Sequence, residues 1–141
     1  MKLKEKAKIQ SKKKGKFEPV GYKLKVKKSV AGLGLYTDEE IPKGKCIIEY
    51  FGRTITPAEE YTINSKYLFE IHSRRTIDGS VRANIARYVN HSCRPNSEIE
   101  IRKGRVYVMS RKKITAGEEL TYDYGKEYWN EFIKPHGCRC E

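Results

Sequence analysis

The sequence predicts a mostly β fold with few short helices. Tyr22, Leu24 and Val26 alternate with lysines, which is the period of a half-exposed strand. Short apolar runs bounded by glycine recur along the chain, and residues 56–59 form a clear helix start, a capping box with proline at the first helical position. A length of 141 residues suits one domain that can bury a core of its own.

Glycines and turns separate the elements that follow. Gly32 and Gly34 flank one residue and allow a sharp turn. Residues 38–44 form another turn, and residues 112–118 have a similar pattern. In both segments an isoleucine anchors a turn that ends in glycine. We interpret this similarity as recurring turn chemistry rather than a true repeat. The remaining elements are strands at 46–51, 67–71, 76–78, 98–102 and 105–110, a helix from 57 to about 64, one helical turn at 84–88 and a short amphipathic helix at 128–133.

Positive charge is concentrated near the N-terminus. Residues 1–28 hold 12 of the 30 basic residues but only two of the 18 acidic ones, which leaves a nearly neutral body. Such a lysine block is usually disordered and attracts polyanions without sequence preference. We expect a basic, disordered head at 1–21, a folded domain at 22–125, and a short helix with a cysteine tail at 126–141. The head is either a solubilising tail or an arm that binds nucleic acid or an acidic partner, and within it residues 11–16 are a candidate nuclear-targeting signal.

The chain has no apolar run of transmembrane length and no apolar stretch of the kind found in a signal peptide. We therefore expect a soluble, intracellular protein without a membrane partner. An intracellular location would keep the four cysteines reduced. Cys138 and Cys140 are too close together for an easy mutual disulfide, but their thiolates can chelate a metal.

Residues 87–96, the polar loop, are the segment around which the chain is organised. This loop has few large aliphatic residues, and Pro95 forbids a helix through it. Its two asparagines, histidine and serine can hydrogen-bond in more than one direction. A polar segment between apolar strands is either a surface loop or a buried loop held for a site, and we favour the second. Residues 90–93, with Pro95 and Asn96, resemble the signature loop of the SET domain, the fold of most protein lysine methyltransferases.

Further segments are similar to SET domain motifs and occur in the family's order. They are residues 31–36, residues 49–52 and residues 117–125, here called the closing segment. The resemblance covers residues 22–141 and implies a fold of small antiparallel sheets around a knot-like core, in which the polar loop and the closing segment cross. That crossing would allow the polar loop to be buried, because its groups pair with the backbone that it threads against.

The resemblance implies an enzyme that moves a methyl group from S-adenosylmethionine to the side-chain amine of a protein lysine. A tyrosine at position 122 implies mainly monomethyl-lysine as product. We interpret Tyr128 and Trp129 as an anchor for the last helix rather than as stacking partners for adenine. The resemblance implies that the methionine part of the cofactor contacts Gly32, Leu33 and Gly34, and that its carboxylate, ribose and adenine region contact Arg87, Asn90 and His91. The implied catalytic residues, which line the lysine channel, are Tyr50, Tyr122 and Tyr124, with Tyr124 nearest to the methyl group. A weaker channel candidate is Tyr67.

Each implied role has a structural alternative. The two glycines could form an ordinary turn, and Tyr50 could be a core tyrosine with a satisfied hydroxyl. His91 could be a structural loop residue, and Tyr122 and Tyr124 could form an exposed pair on an edge strand. The four motifs together favour the site.

A partial zinc site is also implied by the resemblance. The family joins the cysteine of its signature loop to a C-terminal cysteine segment, and this chain offers Cys93, Cys138 and Cys140. Three thiolates leave a tetrahedral site one ligand short. Either the chain is truncated, or the fourth ligand is His136, Cys46, water or another molecule, or zinc is absent. Cys46 lies in an apolar strand, so we expect it in the core.

Two other functions compete with the enzyme. One is a catalytically weak SET fold that acts as a binding module and is held on nucleic acid or chromatin by the basic head. The other is a zinc-stabilised nucleic-acid-binding protein without a cofactor. For the enzyme, a histone tail is the family's commonest substrate, and the expected location is the nucleus or chromatin in a eukaryote or its host and the cytoplasm otherwise. The oligomeric state stays open.

Overall fold

The structure, a computed structural model, describes residues 15–63, 65–72 and 74–125. Within these ranges the chain is built mainly of short strands, with one α-helical turn, α1 (Pro57–Glu60), and one 3₁₀ turn (Ile85–Tyr88). None of the described helices could span a bilayer. The strands are β1 (Leu24–Ser29), β2 (Gly32–Thr37), β3 (Cys46–Tyr50), β4 (Arg53–Ile55), β5 (Leu68–His72), β6 (Arg75–Asp78), β7 (Asn90–His91), β8 (Ser97–Arg102), β9 (Arg105–Ser110) and β10 (Thr121–Tyr122).

These strands form small sheets, as predicted. β1 and β2 make a hairpin, β9 lies between β3 and β8, and β6 lies between β4 and β5, all antiparallel. The exception is the parallel pair of β7 with β10, in which Asn90 lies opposite Thr121 and Tyr122 opposite His91. That pair is where the polar loop meets the closing segment, two segments about thirty residues apart that run in the same direction.

Two apolar clusters join these sheets, and a third, formed by Cys46, Tyr107 and Met109, lies on the sheet of β3, β9 and β8. Residues from β2, β3 and β9, from the turn between β2 and β3, and from the segments before β7 and β10 fill the larger cluster. The smaller cluster attaches the sheet of β4, β5 and β6 through Ile77, which contacts Tyr50, Ala86 and Val106. The larger cluster consists of Leu35, Ile41, Ile47, Val89, Val108, Ile114 and Leu120, all at most 2% exposed.

The two turns that echo each other in sequence pair with each other in space. The amides of Ile41 and Ile114 each donate to the carbonyl of the other, both at 2.8 Å, and both side chains are fully buried. The prediction that each isoleucine anchors a turn is confirmed. This contact explains why an isoleucine suits both turns. The backbone bridge between Ile41 and Ile114 places both side chains in the larger apolar cluster.

Two local predictions need correction. The capping box at Thr56 and Glu59 is present, but the helix ends at Glu60 instead of continuing to about 64. The Glu59 carbonyl accepts a helical bond from the amide of Ile63, but it also accepts from the amide and the hydroxyl of Thr62, each at 3.0 Å, so the helix closes in a tighter local turn. The sharp turn expected at Gly32 to Gly34 lies one step earlier, and Gly32, with φ of +106°, opens strand β2.

The folded body extends into the segment that the sequence assigned to the head. The Phe17 ring packs on Tyr107, 5.8 Å between centroids, and the Arg102 guanidinium lies 4.8 Å from the centroid of the same ring. The amide of Val20 donates to the carbonyl of Cys46 at 3.1 Å. Residues 17–20 therefore lie along the sheet of β3, β9 and β8.

The polar loop is held in the core by the side chain of Asn96, which is 6% exposed. Its Oδ1 accepts from the amide of Thr121 and from the hydroxyl of Ser97, both at 3.0 Å, and its Nδ2 donates to the carbonyl of Glu119 at 2.8 Å. One buried amide thus satisfies backbone groups on both sides of Leu120 in the closing segment.

We expect Asn96→Ala to lower the free energy of unfolding by at least about 2 kcal/mol, because it leaves the Thr121 amide and the Glu119 carbonyl without their partner. Urea denaturation monitored by circular dichroism measures the change. Tyr61→Ala, at a side chain that is 92% exposed, is the control and should shift stability by less than about 0.5 kcal/mol. Equal stability of both variants would contradict this role of Asn96.

Candidate active site

Tyr124 is held by the polar loop. Its hydroxyl donates to the carbonyl of Val89 at 2.5 Å, and its amide donates to Nδ1 of His91 at 3.1 Å. Its ring lies 4.8 Å from the ring of Tyr122 and meets the His91 imidazole edge-on at 5.4 Å. The fold therefore brings three of the predicted site residues, His91, Tyr122 and Tyr124, into one cluster beside the pairing of β7 with β10.

His91 is fixed in orientation by two neighbours. Its side chain is only 8% exposed, Nδ1 accepts from the Tyr124 amide, and Nε2 lies 3.5 Å from the Cys93 sulfur. Burial lowers the pKa of His91, while the carboxylate of Asp123, 3.8 Å from Nδ1, opposes the shift. An Nδ1 that accepts a hydrogen bond and a lowered pKa both indicate a neutral imidazole that carries its proton on Nε2.

Asn90 connects the polar loop to the glycine-containing strand. Its Nδ2 donates to the carbonyl of Leu33 at 2.9 Å and to Oε2 of Glu119 at 2.8 Å. Its Oδ1 accepts no hydrogen bond from the described residues. Among those residues the only side-chain polar atom that is both buried and without a partner is Nε of Arg75, so solvent can reach Oδ1 of Asn90. A Cβ on Gly32 would meet no atom within 4 Å, and Leu33 is 47% exposed. An accessible acceptor beside open backbone and an exposed leucine fits the amino-acid part of S-adenosylmethionine.

Besides its expected role in a turn, Gly34 leaves space for a neighbouring side chain. A Cβ there would lie 2.3 Å from Oε2 of Glu119. The carboxylate occupies the space that any other residue would fill, and Oε1 also accepts from the Ser29 hydroxyl at 2.9 Å. Sequence reasoning missed Glu119, because a glutamate beside a turn is an ordinary surface residue and only the fold shows that three segments converge on it.

Tyr50 lies in the smaller apolar cluster. It is 5% exposed, its hydroxyl donates to the carbonyl of Tyr67 at 2.6 Å, and its ring lies 5.3 Å from that of Phe69. The structural alternative for Tyr50, a core tyrosine with a satisfied hydroxyl, fits this geometry. A role for Tyr50 or Tyr67 in a lysine channel stays a prediction.

Arg87 is engaged by the protein itself. One terminal nitrogen donates to the carbonyls of Val81, Arg82 and Asn84 at 2.9–3.1 Å, and the other donates to the Tyr88 hydroxyl at 2.6 Å. The guanidinium thus fastens the loop before the 3₁₀ turn. Its expected contact with the cofactor stays a prediction.

The predicted zinc ligands are only partly within the described residues. Cys93 is exposed, whereas Cys138, Cys140 and His136, like Tyr128 and Trp129, lie outside the described ranges. Within those ranges no group of three or more His, Cys, Asp or Glu side chains could hold a metal. Cys46 is 2% exposed in an apolar cluster, and burial raises its pKa to about 11, which suits the core position expected for it and not a metal ligand.

Comparison with known proteins identifies relatives of this chain. It is 38% identical over 122 residues to the histone-lysine N-methyltransferase trr of Drosophila melanogaster, and 41% identical over 108 residues to the histone-lysine N-methyltransferase set-2 of Caenorhabditis elegans. These matches cover 77% and 67% of this chain. The chain spans only 5% and 7% of the lengths of these two relatives.

A solved structure has a similar fold. It is the crystal structure of KRYPTONITE in complex with mCHH DNA, an H3(1-15) peptide and SAH, which matches with a TM-score of 0.66 and 33% identity over 75% of this chain and 24% of that one. The family model of the SET domain matches residues 32–125, which is more than half of the chain and includes the glycine strand, the polar loop and the closing segment. The chain therefore belongs to the SET domain family.

Proposed function

We propose that this protein transfers a methyl group from S-adenosylmethionine to the side-chain amine of a lysine in a protein substrate, with a histone tail as the first candidate. The observation that carries the proposal is the cluster of Tyr124, Tyr122 and His91, which lies next to Asn90 and its accessible amide oxygen. Two relatives named as histone-lysine N-methyltransferases and a neighbour crystallised with an H3 peptide support the class of substrate.

The residues around Asn90 suit the amino-acid part of the cofactor. Bound S-adenosylmethionine supplies a methyl group on a positively charged sulfur. Oδ1 of Asn90 offers an acceptor to the cofactor's ammonium, and Leu33 offers apolar contact at the open edge of β2. The neutral His91, whose Nδ1 is occupied by the Tyr124 amide, orders the backbone between this region and the tyrosines.

The tyrosines suit the amine that would be methylated. A lysine amine must be neutral to act as a nucleophile, yet its ordinary pKa of about 10.4 keeps it protonated at pH 7. A narrow pocket walled by aromatic rings disfavours the charged form and lowers that pKa. The Tyr124 hydroxyl, held by the Val89 carbonyl, and the adjacent Tyr122 ring would give such a pocket fixed walls, so a large share of the rate gain would come from positioning.

The test is incubation of the protein with labelled S-adenosylmethionine, a panel of histones and cell extract, followed by mass spectrometry of the labelled lysine. Calorimetry with the same cofactor is run in parallel. Cofactor binding with methyl transfer supports the enzyme. Binding without transfer to any substrate would favour the binding module, and absence of binding would refute both.

We expect Tyr124→Phe to lose about a hundredfold in turnover while cofactor affinity is retained, because the variant removes the hydroxyl that ties the ring to Val89; misplacing a reacting group by about 1 Å commonly costs this much. Single-turnover assays on one peptide measure the loss. Tyr61→Phe, at an exposed ring, is the matched control. Turnover of Tyr124→Phe equal to that of the unmodified protein would exclude the role of this hydroxyl.

The number of methyl groups added should depend on Tyr122. Its ring packs on Tyr124, and a hydroxyl there would hold the amine and fill the space into which a methylated amine must rotate. We therefore expect mainly monomethyl-lysine, with some dimethylation, and a shift of Tyr122→Phe toward di- and trimethyl-lysine with little loss of the first step. Time-resolved mass spectrometry of one peptide measures the products. Trimethyl-lysine as the main product of the unmodified protein would overturn the assignment.

We further propose that the basic head holds the enzyme on nucleic acid near its substrate. In a eukaryotic cell, whether the protein's own or that of a host, this location would be chromatin, and in any other cell it would be the cytoplasm. Deleting residues 1–14, which spares the Phe17 contact, should weaken binding to duplex DNA and flatten its salt dependence, while activity on a free peptide hardly changes. Fluorescence anisotropy at several salt concentrations measures the binding. The control replaces the seven lysines of this segment by glutamine, which keeps the length, and should give the same result. A large loss of activity on free peptide would place the head in the site.

A further inference from the structure

We propose that Glu119 is a positioning residue for the cofactor: it fixes the direction of the Asn90 amide, so that Asn90 presents an oxygen and not an NH₂ group to the ammonium of S-adenosylmethionine. This inference rests on the proposed function and deepens it. Glu119 would make no contact with the cofactor. Its effect would pass through one hydrogen bond, the 2.8 Å contact between Oε2 of Glu119 and Nδ2 of Asn90.

Two acceptors determine the orientation of Asn90. Its Nδ2 donates to the Leu33 carbonyl at 2.9 Å as well as to Glu119, so both of its protons are used on the same side of the amide. A rotated amide would point Oδ1 at a carbonyl and a carboxylate, and neither of these groups can donate a hydrogen bond to it. The rotated state is therefore disfavoured, and more strongly with the carboxylate than with the carbonyl alone because hydrogen bonds to charged groups are the stronger ones.

Glu119 is itself held in place through both its side chain and its backbone. Oε1 of its carboxylate accepts from the Ser29 hydroxyl at 2.9 Å, and its backbone carbonyl accepts from Asn96 at 2.8 Å. Tyr36 and Glu119 form a bridge between β2 and the closing segment. Gly34 leaves room for Oε2, which would lie 2.3 Å from a Cβ at that position. A glutamate restrained in this way can hold another side chain in one orientation, which a freely moving surface carboxylate cannot.

The orientation matters because the two faces of an amide have opposite polarity. With Nδ2 turned toward Glu119, the accessible atom is Oδ1, an acceptor that suits an ammonium group. With the amide rotated, the accessible atom would be Nδ2, whose protons would repel the same group. Glu119 thereby selects a ligand that carries a donor at this point, and the part of the ligand that it affects is the amino acid and not the nucleoside.

Two ligands separate this role from a general structural one. S-adenosylhomocysteine carries the amino-acid part, whereas 5′-methylthioadenosine keeps the nucleoside and sulfur but lacks the ammonium and the carboxylate. We expect Glu119→Ala to weaken S-adenosylhomocysteine binding about tenfold to a hundredfold, the range for losing a hydrogen bond to a charged group. Binding of 5′-methylthioadenosine should change less than about threefold, and the KM for a peptide substrate should stay the same while the KM for the cofactor rises.

The neighbouring residues supply matched variants. Glu119→Gln keeps a side-chain oxygen that can accept from Nδ2 of Asn90, so we expect it to restore most of the affinity. Glu118→Ala removes a carboxylate one residue away that accepts from the Thr115 amide at 2.6 Å, and should leave the affinities for both ligands unchanged. Ser29→Ala releases only Oε1 and should give a smaller loss, about threefold, again for S-adenosylhomocysteine alone.

Isothermal titration of the full chain with both ligands decides between the outcomes. Equal affinity of Glu119→Ala and the unmodified protein for S-adenosylhomocysteine, or equal losses for both ligands, would overturn the inference. If Glu119→Ala does not fold, the same comparison on Ser29→Ala decides, and no loss or an equal loss there would overturn it. Failure of the unmodified protein to bind S-adenosylhomocysteine would instead refute the proposed function.

Discussion

The structure depends on pairing the polar groups of a partly buried loop, residues 87–96, with those of a second segment. A buried amide or carbonyl without a partner costs about as much as a lost hydrogen bond, so such a loop is stable only where another segment supplies partners. The closing segment does this for the polar loop. Asn96 accepts from Thr121 and donates to the Glu119 carbonyl, and the amide of Ser92 donates to the carbonyl of Tyr122. Leu120, between two of these partners, is fully buried in the larger cluster and holds the same strand from the other side.

The candidate site is a consequence of that pairing. Because β7 and β10 run side by side, His91 at the end of β7 lies close to Tyr124, two residues after β10, and its Nδ1 accepts from the Tyr124 amide. The same arrangement places Glu119 beside Asn90 and against Gly34, which connects the hairpin of β1 and β2 to the pair of β7 and β10. The contacts that stabilise the fold and those that orient the site therefore lie in the same two segments, the polar loop and the closing segment.

Much of this architecture could be predicted from local pattern. The alternation at Leu24 and Val26, the capping box at Thr56 and the strand pair β8 and β9 follow from period and turn chemistry, which act over a few residues. The end of α1 could not be predicted, because it depends on the amide and the hydroxyl of Thr62 sharing the Glu59 carbonyl with the helical bond from Ile63. The engagement of Arg87 by the carbonyls of Val81, Arg82 and Asn84 was equally hidden, since it requires the loop to turn back on the 3₁₀ turn.

The sequence by itself determined the fold class and the four motifs that place this chain in its family. Strand period and turn preference depend on residues that are neighbours in the sequence, and the order of the motifs can be read along the chain. The tertiary structure alone decided which motif residues meet. From the sequence, Gly34 is interpreted as a turn residue. The fold shows that it also leaves space for the carboxylate of Glu119, 85 residues further along the chain. Glu119 lies in a recognisable motif, but nothing in its neighbours indicates a role for its side chain. Its partners include Ser29, Asn90 and Asn96, which come from segments that only the tertiary structure brings together, and contacts of that range are set by packing and not by local preference.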